Sequence, residues 1–246
     1  MALWGKKKGN AKEITGTGRG AGRKYVGDAV GGVPHGRGVM TFEDGARYEG
    51  GFDTGYYSGQ GVLVHADGSR YEGGFEKGNY KGRGVFHLTR EGGIVIEGEF
   101  EGGVTGFLTA KYSDGSRYEG RFEDYKREGE GKMWFSDGCI YEGGFRDNAP
   151  DGEGRYVHSD GYEYVGQMSC GEKSGRGRLY EPDGRLYIDA TWSGGAPVEG
   201  TLFHEDGFRY EGEFDDWVPS GGTLFLEDGT VAAEGVAAID GKWVRV

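Results

Sequence analysis

Only two cysteines, Cys139 and Cys170, and five prolines occur in 246 residues. So few cysteines exclude a disulfide framework and a four-cysteine zinc site, and they suit a reducing, cytoplasmic compartment. Scarce proline excludes collagen and a proline-rich linker. No apolar run approaches the roughly 18 residues of a membrane-spanning helix. The opening MALWGKKKGN carries its lysines after a short apolar patch, the reverse of a secretory leader. Hydrophobic residues make up 35%, too few for a thick conventional core. Basic residues are outnumbered, 29 to 41, for a formal charge of -12, which disfavours nucleic acid as a partner of the chain's body.

The basic groups are unevenly spread. Lys6, Lys7, Lys8, Lys12, Arg19, Arg23 and Lys24 fall within the first 24 residues, opposed there by Glu13 alone. Residues 1–24 therefore read as a basic, glycine-rich, flexible tail ahead of an acidic body. Such a tail suits an anionic surface, each Lys or Arg contributing about 1 kcal/mol near acidic phospholipid. Membrane tethering through these seven residues is the alternative function.

What abounds is glycine, 54 residues, together with 16 Tyr, 13 Phe and 5 Trp. That aromatic share argues against disorder. RYEGGF stands at 47–52 and again at 70–75. Its tyrosine recurs as Tyr25, Tyr48, Tyr71, Tyr118, Tyr141, Tyr164, Tyr187 and Tyr210, at steps of 23 broken by one longer interval. Inside that interval IEGEF, at 96–100, is an eroded copy with Ile96 for Tyr, and AEG at 233–235 is a faint tenth. Glycine follows the tyrosine by two residues and Phe usually by four, placing all three on one face of a strand. A Gly-x-Gly then opens a second segment, as at Gly36/Gly38, Gly59/Gly61, Gly82/Gly84 and Gly129/Gly131. Asp-Gly separates one unit from the next, as at 44/45, 67/68 and 114/115, which predicts type I′ hairpin turns there. This glycine density excludes helix.

Each unit is thus a β-hairpin, and the hairpins chain into an antiparallel meander. With no covering layer, a ring must lie against its own sheet, so Gly73, Gly82 and Gly84 are expected to make room for Tyr71 and Phe75. On the other face Arg47/Glu49, Arg70/Glu72, Arg117/Glu119 and Arg209/Glu211 are expected to form solvated charge ladders.

These spaced positions resemble the MORN (membrane occupation and recognition nexus) repeat: aromatic-x-Gly, an aromatic four residues on, Gly-x-Gly and a turn glycine. The departures are Ile96, Thr191-Trp192, and the run from Ala196 to Gly200. The array covers 25–214, irregular at 91–112 and 187–200, and 215–246 reads as a degenerate repeat with a capping strand. The resemblance implies an all-β, elongated, twisted, single-layer antiparallel β-meander or solenoid of about ten 23-residue hairpins. It also implies non-enzymatic scaffolds in cilia and flagella, axonemal or other cytoskeletal assemblies, and membrane junctions.

His65, His158 and His204 share one repeat position and lie too far apart to share a metal. GTGRGAG at 16–22 lacks the GK[ST] of a phosphate loop. No catalytic, metal or cofactor site is expected. The partner is expected to be protein: Tyr48, Phe52, Tyr71, Phe75, Tyr118, Phe122, Tyr141, Phe145 and Tyr164 would line an aromatic groove for a helix or extended segment, joined by Trp134 and Trp217. Trp217 lies in DDWVPSGG, a loop where the repeat dictates no tryptophan. A second copy of the chain is a further candidate partner.

Overall fold

A computed structural model describes residues 12–15, 22–89, 92–239 and 242–246. Among these there are 21 β-strands and no helix. Two compact units divide the chain, Met1–Tyr125 and Lys126–Val246. In the first, ten strands follow one another: β1 (Lys12–Thr15), β2 (Arg23–Val30), β3 (Val33–Phe42), β4 (Arg47–Asp53), β5 (Tyr56–Val64), β6 (Arg70–Glu76), β7 (Asn79–Leu88), β8 (Ile94–Phe100), β9 (Gly106–Tyr112) and β10 (Arg117–Glu123). Each pairs antiparallel with the next. The second unit runs likewise from β11 (Lys126–Trp134) through β12 (Ile140–Arg146), β13 (Ala149–Val157), β14 (Glu163–Ser169), β15 (Glu172–Tyr180), β16 (Leu186–Ser193), β17 (Ala196–Phe203), β18 (Arg209–Asp215), β19 (Val218–Phe225) and β20 (Val231–Ile239) to β21 (Lys242–Arg245). Part of the expected flexible tail is therefore strand: β1 extends the sheet beyond β2, and Lys24 pairs with Glu13 at 2.6 Å.

The core is a row of rings. Tyr48, Tyr71, Tyr118, Tyr141, Tyr164 and Tyr210 are 0% exposed and Tyr25 2%. Tyr48, Tyr71, Tyr118, Tyr141 and Tyr210 each meet the phenylalanine four residues on, edge to face, as in Tyr48–Phe52 at 5.1 Å, and some meet the next repeat's as well, as in Tyr48–Phe75 at 5.0 Å. Such pairs contribute about 0.5–1.5 kcal/mol each beyond their buried area. The ring lies flat across two glycines. A Cβ on Gly61 would stand 2.5 Å from the Tyr48 hydroxyl oxygen, and one on Gly73 would stand 2.6 Å from that of Tyr71.

The glycines divide the labour differently from expectation. Gly84 and Gly73 floor Tyr71, but Gly82 does not; it carries φ +74 and a Cβ there would meet nothing nearer than 3.9 Å. The first glycine of Gly-x-Gly is a bulge residue, and register shifts between Gly50 and Phe52, Gly73 and Phe75, and Gly143 and Phe145 mark the bulge. Backbone left unmatched there is met by the tyrosine: Tyr48 donates to Gly51 O at 2.9 Å, Tyr71 to Gly74 O at 3.1 Å and Tyr141 to Gly144 O at 3.0 Å.

The turns also differ. At Asp-Gly the loop is a turn closed by Gly45 N to Phe42 O at 3.1 Å, with positive φ at Gly45 and not at Asp44. Asp44 instead accepts Ala46 N at 3.0 Å, as Asp67 does from Ser69. Paired positive φ, the type I′ signature, occurs at the opposite strand ends: Thr54-Gly55, Lys77-Gly78, Asp147-Asn148 and Asp216-Trp217. One register slip corrects the eighth repeat. Leu179 pairs with Ile188 and Tyr180 with Leu186, so Tyr187 is the extra residue and Ile188, 1% exposed, takes the inward place. Ile96 does the same in the fourth repeat, where Leu108 replaces a floor glycine opposite Gly98. A smaller side chain above admits a larger one below. The arginine–glutamate pairs form within strands, Arg47–Glu49 and Arg70–Glu72 each at 2.5 Å.

Candidate functional site

The nine rings expected to line a groove are core instead: Tyr48, Tyr71, Tyr118, Tyr141 and Tyr164 are fully covered, and Phe52, Phe75, Phe122 and Phe145 nearly so. What covers them is a position the sequence reading passed over, nine residues after the opening tyrosine. Tyr57 stacks on Tyr48 at 3.7 Å and Tyr80 on Tyr71 at 3.8 Å. In the second unit Lys173 lies over Tyr164, while Pro150 pairs opposite Phe145 and Pro219 opposite Phe214. These capping residues differ in chemistry, so no repeated letter announces them. Burial pushes Tyr48, Tyr57, Tyr71, Tyr141 and Tyr164 up to about 12 and raises Tyr80 as well.

Trp134 is half-buried with the Lys132 ammonium 5.3 Å from its ring, and Trp217 is 40% exposed. Two other exposed aromatics lie at type I′ turns. Tyr56 follows the Thr54-Gly55 turn and is 59% exposed; Tyr125 sits in the Asp124-Tyr125 turn at 50%. Phe107, in β9 opposite Arg121, is 69% exposed. Of the basic tail, Lys6, Lys7, Lys8 and Arg19 lie outside the described residues, and Lys12 is placed only through the backbone of β1.

Two clusters built alike occur, one in each unit. In the first, His65 Nε2 lies 2.6 Å from the Tyr80 hydroxyl, Tyr71 meets Phe100 edge to face at 5.1 Å, and the Tyr125 ring approaches Phe86 at 6.0 Å. Four repeats further on, His158, Tyr164, Lys173, Trp192 and Trp217 occupy the places of His65, Tyr71, Tyr80, Phe100 and Tyr125. Lys173 Nζ donates to His158 Nε2 at 3.2 Å and sits 5.4 Å from the Tyr164 ring, 5.3 Å from Trp192 and 5.4 Å from Trp217. An ammonium has no lone pair, so His158 accepts at Nε2 and is neutral there. Burial lowers the Lys173 pKa against the pull of Asp160; burial and then the Lys173 charge lower that of His158.

The opposite face of each unit carries a trough floored by bare glycine backbone. One, of about 570 Å³, crosses Gly27, Gly38, Gly50 and Gly61 between Val26, Val39 and Val62 on its walls. Its counterpart of about 690 Å³ crosses Gly166, Gly177 and Gly200 beside Val165. A smaller apolar cavity of about 240 Å³ lies among Leu202, Phe208, Tyr210, Leu224 and Trp243. Among the described residues no group of three or more His, Cys, Asp or Glu stands together as a metal site would. Among the described residues no helix is long and apolar enough to cross a membrane.

A profile of the MORN repeat matches residues 25–47, 48–70, 71–89, 118–140, 141–161 and 164–184, together more than half of the chain. The chain belongs to the MORN-repeat family. The stretches between and beyond the matched MORN repeats include the two hairpins in which Ile96 and Ile188 replace the inward tyrosine. No curated protein matches the chain in sequence. Among solved structures, the chain is similar to the SAS-4 (dCPAP) TCP domain of Drosophila melanogaster in complex with a proline-rich motif of Ana2 (dSTIL), at 12% identity, 76% of this chain, 95% of that chain and TM-score 0.39. It is likewise similar to the wild-type TCP10 domain of Danio rerio CPAP with a peptide of Danio rerio STIL, at 15% identity, 87% and 97% coverage and TM-score 0.37. The same Danio rerio domain without peptide gives 11% identity, 96% and 100% coverage and TM-score 0.41. TM-scores this low do not establish a shared fold.

Proposed function

We propose that this MORN-repeat chain is a non-enzymatic scaffold that binds partner proteins, in a ciliary or flagellar axonemal or other cytoskeletal assembly. The observation that carries this reading is the surplus of exposed aromatics, Tyr56, Tyr125 and Trp217 at the type I′ turns and Phe107 on β9. Tyr56, Phe107, Tyr125 and Trp217 each stand 40% exposed or more. Large rigid aromatics of this kind dominate protein interfaces. On this reading the nine core rings hold the sheet in shape, and the contacts are made by the turn aromatics, with Trp134 and Trp217 retained from the sequence reading.

The test is affinity capture from ciliated cells with the full chain and with Tyr56→Ala plus Tyr125→Ala. The reading expects a defined set of cytoskeletal proteins with the parent chain and their loss with the variant, circular dichroism being unchanged. Equal recovery by the folded variant contradicts it.

A further inference from the structure

Lys173 is out of keeping with its surroundings. A cation occupies the capping position over Tyr164 where the equivalent residue of the first unit is the neutral Tyr80. Three rings, Tyr164, Trp192 and Trp217, face Nζ at 5.3 to 5.4 Å, and His158 supplies a single acceptor at 3.2 Å. Rings on three sides of an ammonium within about 6 Å form an aromatic cage, the arrangement that recognises alkylated ammonium groups.

A second, independent observation concerns Trp217. It holds φ +71 at the second position of a two-residue turn, where Gly55, Gly78, Gly171 and Gly195 stand in other repeats. A bulky residue is strained there. The ring it places closes the third side of the cage, 5.3 Å from Trp192. The cage is also open to solvent, because Lys173 is only half-buried and Trp217 half-exposed. Swinging the lysine stem outward bares the faces of Tyr164 and Trp192.

We infer that Tyr164, Trp192 and Trp217 form a recognition site for an alkylammonium group, that of a methylated lysine side chain on a partner, with Lys173 as its resident competitor. This deepens the scaffold reading and rests on it only for the partner being a protein. A methylated ammonium sheds its water more readily than the Lys173 ammonium and keeps its charge, so it exchanges into the cage while the lysine returns to solvent. Because Lys173 is tethered, it competes at an effective concentration in the millimolar range, and its removal tightens binding of an outside cation.

The cage is tested without any partner protein. The full chain is titrated with tetramethylammonium chloride against sodium chloride of equal ionic strength, read by tryptophan fluorescence, in parent, Lys173→Ala and Lys173→Ala plus Trp217→Gly forms. Trp217→Gly restores the turn's preferred residue, so its melting temperature is expected to equal or exceed that of its parent, separating the cage from folding. The expected result is a specific response in the parent, at least about tenfold tighter in Lys173→Ala, and lost with Trp217→Gly. A peptide carrying trimethyllysine is expected to bind Lys173→Ala more tightly than the same peptide with unmodified lysine. No tightening on removing Lys173, a response that survives Trp217→Gly, or equal binding of the two peptides overturns the inference. Undiminished cellular capture by Tyr56→Ala plus Tyr125→Ala counts against the scaffold reading alone, since those residues lie outside the cage.

Discussion

The opening tyrosine of each repeat meets two demands, and phenylalanine meets only one. Its ring fills the space above two glycines, and its hydroxyl answers a carbonyl that the bulge has taken out of the ladder, Gly74 O in the case of Tyr71. Tyr71→Phe leaves that buried carbonyl unpaired and is expected to cost about 1–3 kcal/mol by urea unfolding, whereas Tyr56→Phe, exposed and outside the core, costs close to nothing. The two glycines of Gly-x-Gly also separate at this scale. Gly61→Ala drives a Cβ into the Tyr48 ring, 2.7 Å from Cε2, while Gly59→Ala meets open space and suffers only its φ of +71. Gly61→Ala is expected to be the more damaging by at least about 1 kcal/mol, measured by the same unfolding curves. Sequence spacing made both glycines visible; their difference depends on backbone angles that an identical letter conceals.

At the scale of the hairpin, period and strand order were legible because the tyrosine, glycine and phenylalanine positions recur together every 23 residues. The turn types were not, because Asp-Gly serves two loops equally well. Here Asp67 accepts the Ser69 amide and only Gly68 takes positive φ, while the true type I′ turns hold residues as unlike as Thr54 and Cys170. The slip that puts Ile188 inward was hidden for a similar reason, since Tyr187 keeps the period and only strand register reveals the bulge. Nor did β1 show, four residues with no repeat to betray them. The capping position escaped notice because Tyr57, Lys173 and Pro150 share a place and no chemistry. Thr54, β-branched at φ +47, is a poor fit to its turn. Thr54→Asn is expected to stabilise the chain by about 0.5–1 kcal/mol, read as a raised unfolding midpoint with unchanged slope.

Across the whole chain the same burial recurs, and it couples stability to alkaline pH. Five tyrosines, Tyr48, Tyr57, Tyr71, Tyr141 and Tyr164, are pushed from the ordinary 10 up to about 12, chiefly by burial. Below pH 10 they are neutral in folded and unfolded chains alike, and their contribution to stability is fully present. Between pH 10 and 12 the unfolded chain ionises first, so stability is expected to fall steeply, and phenolate absorbance should appear together with the loss of sheet signal. Glycine under each ring is what lets the sheet bury aromatics without a second layer. The fourth repeat, with Ile96 above Leu108, shows the compensation. A double-mutant cycle of Tyr71→Ile with Gly84→Leu, followed by global unfolding of the full chain, tests it most directly. The double variant is expected to be more stable than the two single losses added together, by about 1 kcal/mol or more; strict additivity would rule out this role for the glycines.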